Sequence, residues 1–183
     1  MCDLNFDLYN GPRSNVNTLF KSCCIRIGHR FNKPCCCLTT STGTGNAIAW
    51  SHSCKYLGVY LLAGRKFKVN FDEAKAKYYY AFNGIMGKVG PSASQEVIIE
   101  RVRMKCLPII LYGTEACPLA KKDISSLEHI QNCTFGKIFI VKQQEIINEC
   151  RKAFNLDNLN QIIKNRQLKF IAKLSVSNIR NGA

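Results

Sequence analysis

Two hydrophobic periods divide the chain. Up to about residue 68, apolar positions come in short runs separated by turn formers; from Phe71 onward they recur every three or four residues. Residues 1–20 show weak periodicity and several turn formers, an irregular lead-in. The run from Ser22 to Gly28 predicts a strand ended by the glycine, followed by a loop through Asn32-Lys33-Pro34. Residues 37–50 hold two β-prone runs split by Gly43 and Gly45, which predicts a hairpin. A further strand is predicted near 54–62, where Tyr56-Leu57-Gly58-Val59-Tyr60-Leu61 is apolar and β-prone.

The second period predicts helices. Phe71, Ala74, Tyr78, Phe82 and Ile85 mark the inward stripe of the first, with Gly87 and Gly90-Pro91 as its stop. Ser92 with Gln95 forms a capping box for the next, which carries Val97, Ile98, Val102, Leu107 and Ile110, with a kink at Pro108. A third runs from Asp123 to about Val141 with Leu127, Ile130 and Ile138 inward, and a shorter one begins near Gln144. The last spans about 158–176 and turns Leu159, Ile163, Phe170 and Leu174 inward. The expected class is therefore α+β: an irregular lead-in (1–20), a small antiparallel β unit (21–68) and a helical region (69–183).

Charge changes the picture. The chain of 183 residues carries a net charge of +14. Between Asp7 and Asp72 there is no acid, while Arg13, Lys21, Arg26, Arg30, Lys33, Lys55, Arg65, Lys66 and Lys68 all fall in that interval. An acid-free block inside an apolar, β-prone segment points to a polyanionic partner, of which nucleic acid is the commonest. The plain alternative is a basic surface without a ligand. The longest apolar run, Leu107 to Tyr112, is too short to span a bilayer, and the N-terminus has acids where a signal peptide needs cations. No membrane partner and an intracellular location, cytoplasmic or nuclear, are expected.

The 11 cysteines form no C-x-x-C pair, and Cys23-Cys24 and Cys35-Cys36-Cys37 are adjacent clusters. Adjacent cysteines on a strand face opposite ways, a poor start for a tetrahedral site. Buried or free thiols are the simpler reading, with Cys24, His29 and Cys35 as the alternative metal set.

In this order, several stretches resemble the end of the polymerase of non-LTR (LINE-type) retrotransposons, over about residues 14–174. "KSCCIRIGHRF" (21–31) is similar to the segment after the catalytic aspartates, motif D, and "KYLGVYL" (55–61) to the primer-grip motif E. "YYYAFNGIMGKVG" (78–90) and "CLPIILYGTEACPL" (106–119) resemble the helical thumb and connection. The resemblance implies that Gly58 is where backbone approaches the 3′ end of a primer, with Tyr56 and Leu57 fixing the hairpin. Lys55, Arg65, Lys66, Lys68, Lys75 and Lys77 would meet phosphates of an RNA or DNA duplex or hybrid, independent of sequence. Glycine suits close approach because it has no side chain; an ordinary strand bulge is the competing account. Lys21 is the motif D lysine that would stand near the leaving pyrophosphate. The family's spacing is Asn, two residues, then Lys-Ser; here Asn17 precedes Lys21-Ser22 by one residue more, so Lys21 reads equally as a solvated lysine.

The resemblance also sets a limit. The family's polymerases hold two Mg²⁺ ions on closely placed aspartates. This chain has no Asp-Asp pair, and only Asp3 and Asp7 precede the resembling region. The expectation is a truncated reverse-transcriptase fragment, without cofactor or catalytic residues, that keeps duplex binding. A basic, cysteine-rich interaction or zinc-binding protein is the alternative. A third reading, an enzyme completed by a partner that carries the aspartates, also stands. Without the rest of a palm, Leu57, Val59 and Leu61 are expected to lack packing partners and to promote self-association.

Overall fold

The computed structural model describes residues 23–33, 35, 36, 38, 39, 47–89 and 92–180. Lys21, the lead-in with Asp3 and Asp7, Cys37 and the glycine turn at 43–45 lie outside the described residues. The chain divides into two compact units, Met1–Asn70 and Phe71–Ala183. The class is α+β, with small sheets preceding the helices.

The first unit holds two three-stranded sheets. In one, β3 (Ala47–Ser51) lies between β1 (Cys23–Ile25) and β2 (Leu38–Thr39). β2 and β3 pair antiparallel, Leu38 opposite Ile48, as a hairpin requires, whereas β1 runs parallel to β3 with Cys24 opposite Trp50. The other sheet is an antiparallel meander of β4 (Ser53–Tyr56), β5 (Val59–Leu62) and β6 (Lys68–Asn70). The predicted single strand over 54–62 is thus two strands, because Leu57 and Gly58 both adopt positive φ, 45° and 82°, and reverse the chain. Cross-strand pairing lines up Cys54, Leu61 and Val69, and all three are buried. Leu61 therefore has its packing partners within the meander, contrary to expectation, while Leu57 is exposed at the tip. Gly64 ties the end of β1 to the meander: the Gly28 amide donates to the Gly64 carbonyl at 2.9 Å and the Gly64 amide to that of Arg26 at 3.3 Å.

The second unit contains α1 (Asp72–Val89), α2 (Gln95–Lys105), α3 (Leu107–Leu111), α4 (Lys121–Phe139), α5 (Gln144–Ala153) and α6 (Leu159–Arg180). Tyr78, Phe82, Val102, Ile110, Leu127, Phe135, Leu159 and Ile163 form its fully buried core. Each such apolar side chain contributes about 1.5–3 kcal/mol relative to exposure. α1 continues through Gly84 and Gly87, since neither glycine has a backbone reason to stop a helix that is packed on one side. The cap of α2 is Ser94, not Ser92, whose amide is already bound to the Val89 carbonyl at 3.2 Å. Val97 is exposed, and Ile98 and Ile99 face the core. Pro108, which cannot supply an amide to the preceding turn, ends one helix at Lys105 and falls in the first turn of α3. At the start of α4 the Asp123 carboxylate accepts the Ala120 amide at 3.1 Å. α6 buries Leu159 and Ile163 as predicted, but Phe170 is only half-buried and Leu174 is exposed.

Two polar anchors fix this unit. Arg151 is buried and donates to Asn132 Oδ1 (3.0 Å), Gln131 Oε1 (3.0 Å) and the Asp157 carbonyl (3.2 Å), joining α4, α5 and the turn before α6. The Arg166 guanidinium grips both carboxylate oxygens of Glu115 at 3.0 and 3.1 Å.

Candidate nucleic-acid interface

The meander positions the stretch from Lys55 to Leu61. Pairing of Tyr56 with Val59 leaves only Leu57 and Gly58 to make the turn, and positive φ at both is the signature of a type I′ hairpin. Glycine takes such a conformation freely. Leucine there costs roughly 1–2 kcal/mol, so the tip presents a strained, 71% exposed apolar side chain beside a bare backbone. Tyr56, also exposed, precedes it.

Strand alternation then sorts the cations. Lys55 pairs with Tyr60, Tyr60 with Asn70, and Leu62 with Lys68, so Lys55, Tyr60 and Lys68 share the sheet face opposite the buried Cys54–Leu61–Val69 row. The Lys55 ammonium sits 5.2 Å from the centre of the Tyr60 ring. Arg65 and Lys66 lie exposed in the bend between β5 and β6. Among the described residues of this unit there is no carboxylate, so none of these neutralises the field. Tyr60 is the residue that sequence reasoning missed. Its signal was present in the two-residue spacing around Leu57-Gly58, which fixes the 55–60 register once the stretch is read as a hairpin.

The remaining candidates are placed differently. Lys75 and Lys77 begin α1 in the second unit, where Lys75 Nζ lies 3.2 Å from Asp72 Oδ1 and Lys77 Nζ 2.6 Å from Glu73 Oε1. The first turns of that helix are therefore locally balanced in charge. Among the described residues no group of three or more His, Cys, Asp or Glu is placed to hold a metal ion; Cys24 is buried while His29 and Cys35 are exposed. Burial, with a lesser contribution from Cys23 beside it, pushes the Cys54 thiol up to about 11. Among the described residues no helix is long and apolar enough to cross a membrane.

Compared with protein-family models, curated proteins and solved structures, the chain matches none of them.

Proposed function

We propose that this chain is a noncatalytic fragment of a LINE-type reverse transcriptase that binds duplex or hybrid nucleic acid without reading its sequence. The observation that carries the reading is the exposed, left-handed Leu57–Gly58 tip on a hairpin whose outward face bears Lys55, Tyr60 and Lys68. A backbone free of Cβ at Gly58 admits close approach of a strand terminus, and Leu57 offers an apolar surface to a terminal sugar or base. Arg65 and Lys66 follow within one bend and would hold phosphates of the same duplex. Such a partner places the protein in the cytoplasm or nucleus.

Polymerisation is outside this reading, because the sequence lacks the adjacent aspartates that two Mg²⁺ ions require. Fluorescence anisotropy with labelled RNA–DNA hybrid, DNA duplex and scrambled versions of each tests the proposal. Comparable affinity for all sequences, falling steeply between 50 and 200 mM salt, is expected. Affinity that is absent, or that does not depend on salt, overturns it. Primer extension by this chain alone with Mg²⁺ and dNTPs would overturn the noncatalytic part.

A further inference from the structure

A second cluster of reactive side chains lies on α4 and plays no part in the nucleic-acid reading. His129, Cys133 and Lys137 succeed one another at four-residue steps and so form one stripe of the helix. The Cys133 sulfur is 3.4 Å from His129 Nε2, close enough to pass a proton. His129 and Lys137 are exposed and Cys133 is half-buried, so a small reagent reaches the sulfur from solvent. The Lys137 ammonium is held 5.8 Å from the Phe82 ring centre, which fixes a cation one turn beyond the thiol. Tyr79 of α1 faces Cys133, and burial followed by that contact raises its hydroxyl pKa, so it stays a neutral neighbour. The acids of α4 are turned elsewhere: Asp123 caps the helix start, and Glu128 lies beside Arg151.

Among the other described thiols, Cys23 and Cys150 are half-buried like Cys133, and neither is hydrogen-bonded to a histidine. Cys24, Cys54 and Cys106 are buried, and burial raises Cys54 and Cys106 to about 11. Cys117 is raised by burial and by Glu115. Cys35 and Cys36 are exposed.

We propose that Cys133 is a thiol–disulfide exchange site for a small anionic disulfide. His129 receives the thiol proton at Nε2 as the sulfur attacks one sulfur of the reagent. The reagent's S–S bond breaks as the Cys133 mixed disulfide forms, and the departing thiolate takes the proton back from His129. The reagent is the oxidant, so nothing further is needed. Lys137 favours reagents whose carboxylates lie near the attacked sulfur.

The test treats the folded full chain with oxidised glutathione and, in parallel, with cationic cystamine, and maps adducts by mass spectrometry. Cys133 should react about tenfold faster than Cys35 or Cys36. His129→Gln should slow Cys133 several-fold and leave Cys35 and Cys36 unchanged. Lys137→Gln should slow the glutathione reaction more than the cystamine reaction. Equal rates at Cys133, Cys35 and Cys36, or no effect of His129→Gln, overturns the site. An equal effect of Lys137→Gln on both reagents overturns its preference for anions.

Discussion

The Tyr78 hydroxyl donates to Thr134 Oγ1 at 3.0 Å across the α1–α4 contact, inside the core, and Thr134 in turn donates to the Ile130 carbonyl at 3.0 Å. The chain of donors makes the two partners unequal. Tyr78→Phe removes a donor and leaves Thr134 with its carbonyl, a loss of about 1 kcal/mol. Thr134→Val leaves the buried Tyr78 hydroxyl without its acceptor and should cost more, about 1–3 kcal/mol. Urea denaturation of both variants and the double variant checks the order. The double variant should be no less stable than Thr134→Val alone, because it removes the orphaned hydroxyl.

Ile140 ends α4 with φ of 58°, a left-handed conformation that a β-branched residue tolerates poorly. The turn carries the Val141 carbonyl oxygen to within 2.8 Å of where a Cβ on Gly136 would stand, so only glycine fits at 136. Gly136→Ala should therefore destabilise the helical unit. Ile140 is exposed, so Ile140→Gly relieves strain at little packing loss and should stabilise by about 1 kcal/mol. Thermal melts of the two variants moving in opposite directions is the expected result.

Two core thiols predict an alkaline limit. Cys54 and Cys106 are raised from 9.0 to about 11, chiefly by burial. Below pH 9.0 folded and unfolded chains both hold these protons, and the contribution is complete. Between 9.0 and about 11 the unfolded thiols ionise while the folded ones do not, so stability falls as pH rises. Lysines and tyrosines titrate there too, so the measure is the difference from Cys106→Ala. Its stability should fall less steeply over that interval than that of the unaltered chain.

The fold was more legible than the site. Period-three-to-four spacing located α1, α4 and α6 because each packs one stripe, and Tyr78, Leu127, Ile130, Ile138, Leu159 and Ile163 are buried where spacing placed them. Spacing failed at Val97, where the packed stripe of α2 begins one residue later at Ile98, and at Leu174, which continues the pattern of α6 well past the buried Ile163. In the β unit, alternation alone could not see that Leu57 takes a left-handed turn, since propensity argues against leucine there. Reading one strand in place of two hid the common face of Lys55, Tyr60 and Lys68. The ion pairs of Lys75 and Lys77 are legible as i,i+3 and i,i+4 spacing to Asp72 and Glu73, which the net charge of the chain does not reveal.

The strained tip predicts a trade between stability and binding. Leu57→Asn accepts positive φ more readily than leucine and should stabilise the chain by about 0.5–1 kcal/mol. If Leu57 meets a duplex end, the same change should weaken binding to duplexes with an accessible 3′ terminus. Closed circular duplex, which has no terminus, should be bound as before. A variant that is stabilised and binds both substrates unchanged would remove the tip from the interface.

The cations of the meander should govern affinity as a group. Arg65, Lys66 and Lys68 are exposed, lie in a unit whose described residues include no carboxylate, and span only the β5–β6 bend and the start of β6. Each phosphate neutralised releases about 0.9 of a counterion on a duplex, so changing all three to Ala should flatten the log–log salt slope by roughly three units at most. Because phosphates carry no sequence information, the loss should be equal for every duplex. Lys75→Ala with Lys77→Ala should change the slope much less, because those ammonium groups are already matched by Asp72 and Glu73. Titrations at several salt concentrations for the triple and double variants decide between the two surfaces. Suppose the double variant flattens the slope and the triple variant does not. The duplex would then lie along α1, and the outward face of Lys55, Tyr60 and Lys68 would be a basic sheet surface with no part in binding.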